Sequence, residues 1–278
     1  MSEILRVENL NKTFTKKSFL QSKSDIVRAV NNVSFSLNED EILAIAGQSG
    51  SGKSTIAKLI LRAIIPDSGK IFFKHDEITN DTLKLKKFRM QCQMIYQDPY
   101  DSINPRMRVS DIINEPLEIH GVGNKKSRIE IVLDALRKVR LEPAKDIAKK
   151  YPHMLSGGQR QRVVIARALV VKPNLIIADE PVSMLDVSIR AEILELMNEI
   201  RNENNVSFIY ITHDLATAKY FANRIIILNE GKIVESGDIN DVLTNPVHQY
   251  TKSLIEAISE PDPKNLYRDR KISWEVES

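Results

Sequence analysis

The most constraining feature of this chain is a short apolar run, then a glycine-rich loop, then a helical pattern. The apolar run is Ile42–Ala46, and its continuous character is typical of a strand buried on both faces. After the loop, apolar residues recur at helical spacing until the turn at 66–69. The loop residues are Gly47, Gln48, Ser49, Gly50, Ser51, Gly52, Lys53, Ser54 and Thr55. This order of elements predicts an α/β fold whose loop binds phosphate.

Each part of the loop has a chemical reason. Glycines let the backbone curl so that successive N–H groups converge on phosphate oxygens, and the following helix adds its positive dipole end. Lys53 would place a positive charge on the β- and γ-phosphates, and the Ser54 hydroxyl would bind Mg²⁺. The alternative is a glycine-rich turn with an exposed lysine, which the flanking strand and helix argue against.

Two acidic residues follow a second apolar run, at 175–178. Asp179 is predicted to hold Mg²⁺ where a buried strand ends, and Glu180 to polarise the attacking water as general base. An isolated Asp-Glu pair would more often be a charged strand end facing solvent. The phosphate loop upstream favours the catalytic interpretation.

Two further candidates also follow predicted strands or turns. His213 comes directly after the strand pattern at 206–211 and would contact the γ-phosphate, although a lone histidine is more often structural. Gln97 lies in a turn-like segment at 96–100 and could be a neutral Mg²⁺ ligand on a movable loop. By composition alone, Gln97 would be only a turn residue.

A second anion site is predicted in front of an amphipathic helical pattern. Its residues are Ser156, Gly157, Gly158 and Gln159. One ATP does not need two helix N-termini from one chain, so this site is expected to bind a nucleotide held by a partner chain. The alternative is a simple serine-capped helix start.

Strand and helix patterns organise the chain. Short strands fill the first third, helices dominate about 83–172, and strands then alternate with helices, as in a mostly parallel sheet covered on both faces. We predict a helical insert at about 96–160 within an α/β core. The segment after residue 246 is polar, contains Pro261 and Pro263, and is expected to be partly unstructured.

Composition argues against several classes of protein and of binding site. The 278 residues carry 40 Lys and Arg against 37 Asp and Glu, a net +3 that gives little support for a nucleic-acid partner. Cys92 is the single cysteine, which excludes an internal disulfide and a cysteine-ligated cluster. The sequence has no apolar run long enough to span a membrane and no signal-peptide pattern at its start, so we expect a cytoplasmic chain.

Taken together, these motifs resemble the ATP-binding cassette (ABC) family over nearly the whole chain. The loop resembles Walker A, Gln97 the Q-loop, 155–159 the signature, 175–180 Walker B, 183–186 the D-loop, and His213 the switch histidine. The resemblance implies a P-loop, RecA-like α/β core with an antiparallel β subdomain and an inserted helical subdomain. It places the ATPase domain at 3–253 and a tail at 254–278.

The resemblance also implies how nucleotide is bound. Two cassettes would hold two ATP molecules face to face, each signature completing the other's site. Phe14 falls near the family's adenine-stacking aromatic, which is usually tyrosine, and Phe19 could compete for that position. ATP and Mg²⁺ are the cofactors implied.

The segments 96–107, 151–156, 181–188 and 245–252 narrow the resemblance to ATPases of dipeptide and oligopeptide importers, closest to the second (F-type) of their two ATPase subunits. The chain departs from that group at Gln249 and Met184 and in lacking the cysteine cluster of some members. None of these departures involves a residue that is predicted to bind or hydrolyse ATP. The cargo stays open, because the same subfamily includes nickel and oligosaccharide importers.

The resemblance implies an ATPase that drives uptake from the cytoplasmic face of the membrane. Its partners would be a second ATPase subunit in a heterodimer, two transmembrane permease subunits and an extracytoplasmic substrate-binding protein, with no nucleic acid. A soluble cassette ATPase of DNA repair or translation would carry two cassettes or long coiled-coil insertions. A non-catalytic regulatory subunit is disfavoured because Glu180 and His213 are both present.

Overall fold

A computed structural model of the chain describes residues 2–16 and 25–257. Two sequence interpretations fall outside these ranges: the competing aromatic Phe19, and the proline-containing segment around Pro261 and Pro263.

The first sheet is antiparallel and has four strands. Its members are β1 (Glu3–Lys16), β2 (Asp25–Asn38), β4 (Ser68–Phe73) and β5 (Asp76–Glu77), in the order β2-β1-β4-β5. Apolar residues alternate along β1, so Val7 lies opposite Phe35 of β2 and Ile71 of β4. This sheet is the antiparallel β subdomain that the family resemblance implied.

The second sheet has six strands and carries the site. Its members are β3 (Ile42–Ala46), β6 (Cys92–Ile95), β7 (Leu175–Asp179), β8 (Ser207–Thr212), β9 (Arg224–Asn229) and β10 (Lys232–Asp238). Their order is β10-β9-β3-β8-β7-β6, and every pair is parallel except the β9–β10 hairpin. The mostly parallel core agrees with the prediction from the sequence.

Ten α-helices are found in the described part of the chain. They are α1 (Lys53–Ile60), α2 (Thr82–Gln91), α3 (Val109–His120), α4 (Lys125–Lys138), α5 (Ala144–Ile147), α6 (Gly157–Leu169), α7 (Val187–Asn204), α8 (Leu215–Phe221), α9 (Ile239–Thr244) and α10 (Gln249–Glu256). Helices α3 to α6 form the helical segment between β6 and β7. The predicted domain boundaries stay predictions. Helix α10 spans the boundary that was predicted between residues 253 and 254.

The central strands β3, β7 and β8 are buried along their whole length, and they consist almost entirely of apolar residues. Along β3, Ala44 and its neighbours on one face pack with the helical segment, whereas Leu43 and Ile45 pack with α1 and the antiparallel sheet. Burial of this kind stabilises a fold by roughly 25 cal/mol for each Å² of apolar surface removed from water. The sheet is therefore a rigid base for the loops at its edges.

Candidate active site

The strand order brings the predicted residues together. Strands β3, β8, β7 and β6 are adjacent and parallel, so their carboxyl ends share one edge of the sheet, where ligands bind in open α/β folds. Gly47 follows β3, His213 follows β8, Glu180 follows β7, and Gln97 lies two residues after β6. Four chain segments that are distant in sequence thus meet at one cleft.

This cleft has a volume of about 650 Å³. The predicted residues that line it are Gly47, Gln48, Ser49, Gly50, Gly52, Lys53, Ser54, Thr55, Gln97, Glu180 and His213. Those that do not line it are Phe14, Ser51, Ser156, Gly157, Gly158, Gln159 and Asp179.

The glycine loop is held tightly between the two sheets. Gly52 has a φ of 106°, and a Cβ atom there would lie 2.1 Å from the backbone oxygen of Ala29 in β2. The carbonyl of the buried Ser51 accepts a hydrogen bond of 3.0 Å from the N–H of Gly231, in the β9–β10 turn. The loop can approach both neighbours this closely only because Gly52 has no side chain.

Lys53 begins α1 and is 6% exposed. Its Nζ donates to the carbonyl oxygens of Gly47 at 2.7 Å and of Gln48 at 2.9 Å, so the loop curls around the ammonium group. Burial lowers the pKa of Lys53, and the nearby carboxylates of Glu180 and Asp179 counter that effect. The two loop carbonyls therefore hold the end of the Lys53 side chain in a fixed position at the cleft, as phosphate binding requires.

Asp179 lies at the end of β7, is 8% exposed and forms a polar pair with Ser54 of the loop. Burial raises the pKa of Asp179, and a hydrogen bond with the Ser54 hydroxyl opposes that shift. Its Oδ1 is buried and has no hydrogen-bond partner in the described chain. An unpaired carboxylate oxygen beside a hydroxyl suits a hard cation such as Mg²⁺.

The described residues contain no group of three or more His, Cys, Asp or Glu side chains that could hold a metal by themselves. A Mg²⁺ ion here would need oxygens from a bound ligand as well. That is the usual way in which magnesium binds beside substrate phosphates.

Glu180 lies at the centre of the cleft and has a constrained backbone. Its φ of 47° is uncommon for a residue other than glycine, and such strain is concentrated at functional sites. The carboxylate accepts from Gln97 Nε2 at 3.0 Å through Oε2 and contacts His213 Nδ1 at 3.0 Å through Oε1. The side chain of Glu180 is only 15% exposed, whereas that of His213 is 58% exposed.

The predicted second anion site lies at the start of α6, away from this cleft. Ser156 caps the helix by accepting from Gln159 N at 3.3 Å, and the Gln159 side chain accepts from Ser156 N at 3.1 Å. The serine cap considered from the sequence is therefore present. Ser156 is exposed, so it is accessible to another molecule, and its role with a partner's nucleotide stays a prediction.

Phe14 lies on β1 with 42% of its surface exposed, and Lys12 Nζ is 5.7 Å from the centre of its ring. Its predicted contact with adenine stays a prediction.

The sequence did not predict the contribution of α10. Leu254 and Ala257 line the cleft, and the Tyr250 hydroxyl accepts a hydrogen bond of 3.0 Å from the N–H of Gln48. These residues are separated from the loop by about two hundred positions, and no local pattern marks such a contact.

Comparison with known proteins agrees with this architecture. A family model described as "ABC transporter" matches residues 30–183, and one described as "Oligopeptide/dipeptide transporter, C-terminal region" matches residues 234–278. The oligopeptide transport ATP-binding protein OppF of Streptococcus mutans is 46% identical over 263 residues, which is 94% of this chain and 83% of that protein. The dipeptide transport ATP-binding protein DppF of Lactococcus lactis is 43% identical, with the same coverage.

Solved structures of ATP-binding cassettes share the fold of this chain. An ATP-binding cassette solved as a dimer with ADP and phosphate has a TM-score of 0.74 and 30% identity, covering 85% of this chain and 99% of its own. CbiO1 from Clostridium perfringens has a TM-score of 0.75 and 26% identity, covering 95% and 98%.

The predicted fold class is therefore confirmed. The interpretation of the chain as a peptide-importer ATPase is also confirmed at the level of the family. No helix among residues 2–16 and 25–257 combines the length and apolar character that crossing a membrane would require. With a family model that matches more than half of its length and relatives that match most of it, the chain belongs to the ABC transporter family and is an ATP-binding, ATP-hydrolysing cassette.

Proposed function

We propose that this chain is the ATPase subunit of an importer of dipeptides or oligopeptides, working through separate membrane subunits. The observation that carries the ATPase part is the convergence of Lys53, Glu180, His213 and Gln97 on one cleft at the carboxyl edge of the sheet. The peptide part is supported by relatives named for oligopeptide and dipeptide transport and by the matching C-terminal region.

In the proposed mechanism, the loop binds the triphosphate of ATP. Backbone N–H groups of the loop and the start of α1 surround the phosphates, and Lys53 neutralises the β- and γ-phosphates. This role is supported by the fixed position of Lys53 Nζ against two loop carbonyls. A phosphate would take over one or both of those hydrogen bonds.

Three residues would hold Mg²⁺ when ATP is bound: Ser54, Asp179 and Gln97. The unpaired Oδ1 of Asp179 and its Ser54 neighbour support the first two. The ion would neutralise charge that develops on the phosphate oxygens. Gln97 would reach it after releasing Glu180, its present hydrogen-bond partner.

Glu180 would act as the general base on the attacking water, and His213 would contact the γ-phosphate. Both side chains line the cleft and contact each other, so either one can be positioned by the other. A well-placed general base typically contributes a factor of about 10² to 10⁴ in rate.

We further propose that the active form is a pair of cassettes, with a homologous ATPase subunit as the partner. The start of α6 is exposed and lies outside the chain's own cleft, which supports a role on a nucleotide held by the other subunit. The relative solved with ADP and phosphate is described as a dimer.

Two permease subunits would dock where the helical segment meets the core. A groove of about 750 Å³ lies there, lined in part by Met94, Tyr96 and Ile119. Tyr96 lines this groove, and the next residue, Gln97, lines the nucleotide cleft. This adjacency supports the proposal that a movement at one site would be passed to the other. The chain would lie on the cytoplasmic face of the membrane, with an extracytoplasmic binding protein delivering the peptide.

The test is uptake of a labelled peptide by cells in which this chain is replaced by variants of itself. Glu180→Gln should abolish uptake while leaving ATP binding intact, and Lys53→Ala should lose ATP affinity. Glu195→Gln on the exposed side of α7 makes the same chemical change away from the cleft and should transport normally. Peptide uptake that continues in the Glu180→Gln cells would contradict the proposed function.

A further inference from the structure

Helix α10 is fixed to the core by Glu235 of β10. The Glu235 carboxylate accepts hydrogen bonds from the N–H groups of Val247, at 2.8 Å, and His248, at 3.0 Å, immediately before α10 begins. His248 then caps the helix by accepting from Tyr250 N at 3.1 Å. These bonds define where Tyr250 lies relative to the sheet.

From this position, Tyr250 reaches the phosphate loop. Its hydroxyl accepts a hydrogen bond of 3.0 Å from the N–H of Gln48. That N–H belongs to the same peptide group as the carbonyl of Gly47, and this carbonyl accepts a hydrogen bond of 2.7 Å from Lys53 Nζ. A single rigid peptide group is therefore held by Tyr250 on its donor side and by Lys53 on its acceptor side.

We propose that Tyr250 is a positioning residue for nucleotide binding, acting through the Gly47–Gln48 peptide on Lys53. Rotation of this peptide group would break the hydrogen bond to the Tyr250 hydroxyl, so the bond favours the orientation in which the carbonyl holds the lysine ammonium group at the cleft. Hydrogen bonds in such a chain polarise and strengthen one another. The C-terminal region is thereby part of the nucleotide site. This inference rests on the proposed role of Lys53 in phosphate binding.

The test is titration of the full chain with MgATP, using Tyr250→Phe to remove the hydroxyl and keep the ring. A single neutral hydrogen bond contributes about 0.5 to 1.5 kcal/mol, so the Kd for ATP should rise about 2- to 10-fold. The matched control is Tyr220→Phe on α8, where the side chain is 65% exposed and the Kd should not change.

Binding stoichiometry and thermal unfolding separate positioning from a structural role. A variant that is partly unfolded loses binding sites and unfolds at a lower temperature, but its remaining sites keep their Kd. We expect Tyr250→Phe to raise the Kd at unchanged stoichiometry, with an unfolding temperature without nucleotide lowered by no more than the few degrees that one lost hydrogen bond costs. Amide hydrogen exchange at Gln48 should also become faster in this variant.

Two results would overturn the inference. One is an unchanged Kd in Tyr250→Phe, and the other is a loss of stoichiometry with the Kd preserved. Lys53→Ala, titrated alongside, distinguishes this failure from failure of the proposed function. If Lys53→Ala binds ATP as wild type does, the role of the loop itself is wrong. If it binds weakly while Tyr250→Phe binds normally, only the role of Tyr250 is wrong.

Discussion

The contact between Gly52 and β2 allows a sharp test of how the loop is held. In Gly52→Ala, the new Cβ would lie 2.1 Å from the backbone oxygen of Ala29, whereas real Cβ atoms do not approach closer than 3.0 Å. The loop and β2 must therefore separate by about 0.9 Å, the difference between those distances. The residues on either side of Ala29, Arg28 and Val30, are paired with β1, so we expect the loop to do most of the moving.

The expected magnitude has two parts. A positive φ costs an L-residue roughly 1 to 2 kcal/mol, and forcing extra atoms into a packed site costs typically about 1 to 3 kcal/mol more. Gly121→Ala is the matched control, because Gly121 also has a positive φ, of 69°, but a Cβ there would meet no atom within 4 Å. Gly52→Ala should therefore lower the free energy of unfolding by about 1 to 3 kcal/mol more than Gly121→Ala does.

Urea unfolding of both variants measures this difference, and titration with MgATP measures the effect on the site. A displacement of about 1 Å in a binding loop can cost about 10²-fold in activity, so only Gly52→Ala should lose most of its ATP affinity. Equal destabilisation of the two variants, or wild-type ATP binding by Gly52→Ala, would refute the argument that close contact with β2 positions the loop.

Three other predictions concern the catalytic residues and the start of α6. Glu180→Gln should bind ATP normally but release phosphate about 10²- to 10⁴-fold more slowly, and normal turnover would exclude Glu180 as the base. Burial raises the pKa of Asp179, so its ionisation opposes folding; this cost is absent below the unfolded-state pKa and complete above the folded-state pKa. Asp179→Asn should therefore stabilise the nucleotide-free chain at neutral pH and not in acid. The same variant should lose the Mg²⁺-dependent part of ATP binding. Thermal unfolding curves across pH, with and without MgATP, measure both effects. Ser156→Ala and Asn124→Ala each remove one member of a capping box and should each cost about 1 kcal/mol in unfolding experiments, but only Ser156→Ala should impair hydrolysis by the assembled transporter. Equal hydrolysis by those two assemblies would argue against a shared site.

The sequence predicts the centre of the parallel core well because its central strands are almost entirely apolar. Ile42–Ala46 and Leu175–Asp179 are runs of this kind, and both are strands that are fully buried. Glu180 and His213 were found because each follows such a strand. The strand order, which brings these residues to one cleft, is seen only in the structure.

Other features depend on contacts that no local pattern records. Strand β6 has only four residues, Cys92–Ile95, and it directly follows α2, so a mainly helical structure was predicted there. Ile129 recurs with Leu133 and Leu136 at the spacing typical of one buried helix face, yet Ile129 is 54% exposed. The tail after residue 246 was expected to be partly unstructured, and its first part forms α10 against the phosphate loop.

The two contacts of Glu180 have a consequence for the basal rate of ATP hydrolysis. Each oxygen of its carboxylate already has one partner, Gln97 or His213, so an attacking water would compete with them for the remaining acceptor positions. Release of either neighbour would favour the orientation of that water by Glu180. Because Gln97 is joined to a residue in the groove proposed for the permeases, release of the base is linked to that groove. Such an arrangement would limit futile ATP hydrolysis by a cassette that has no cargo to move.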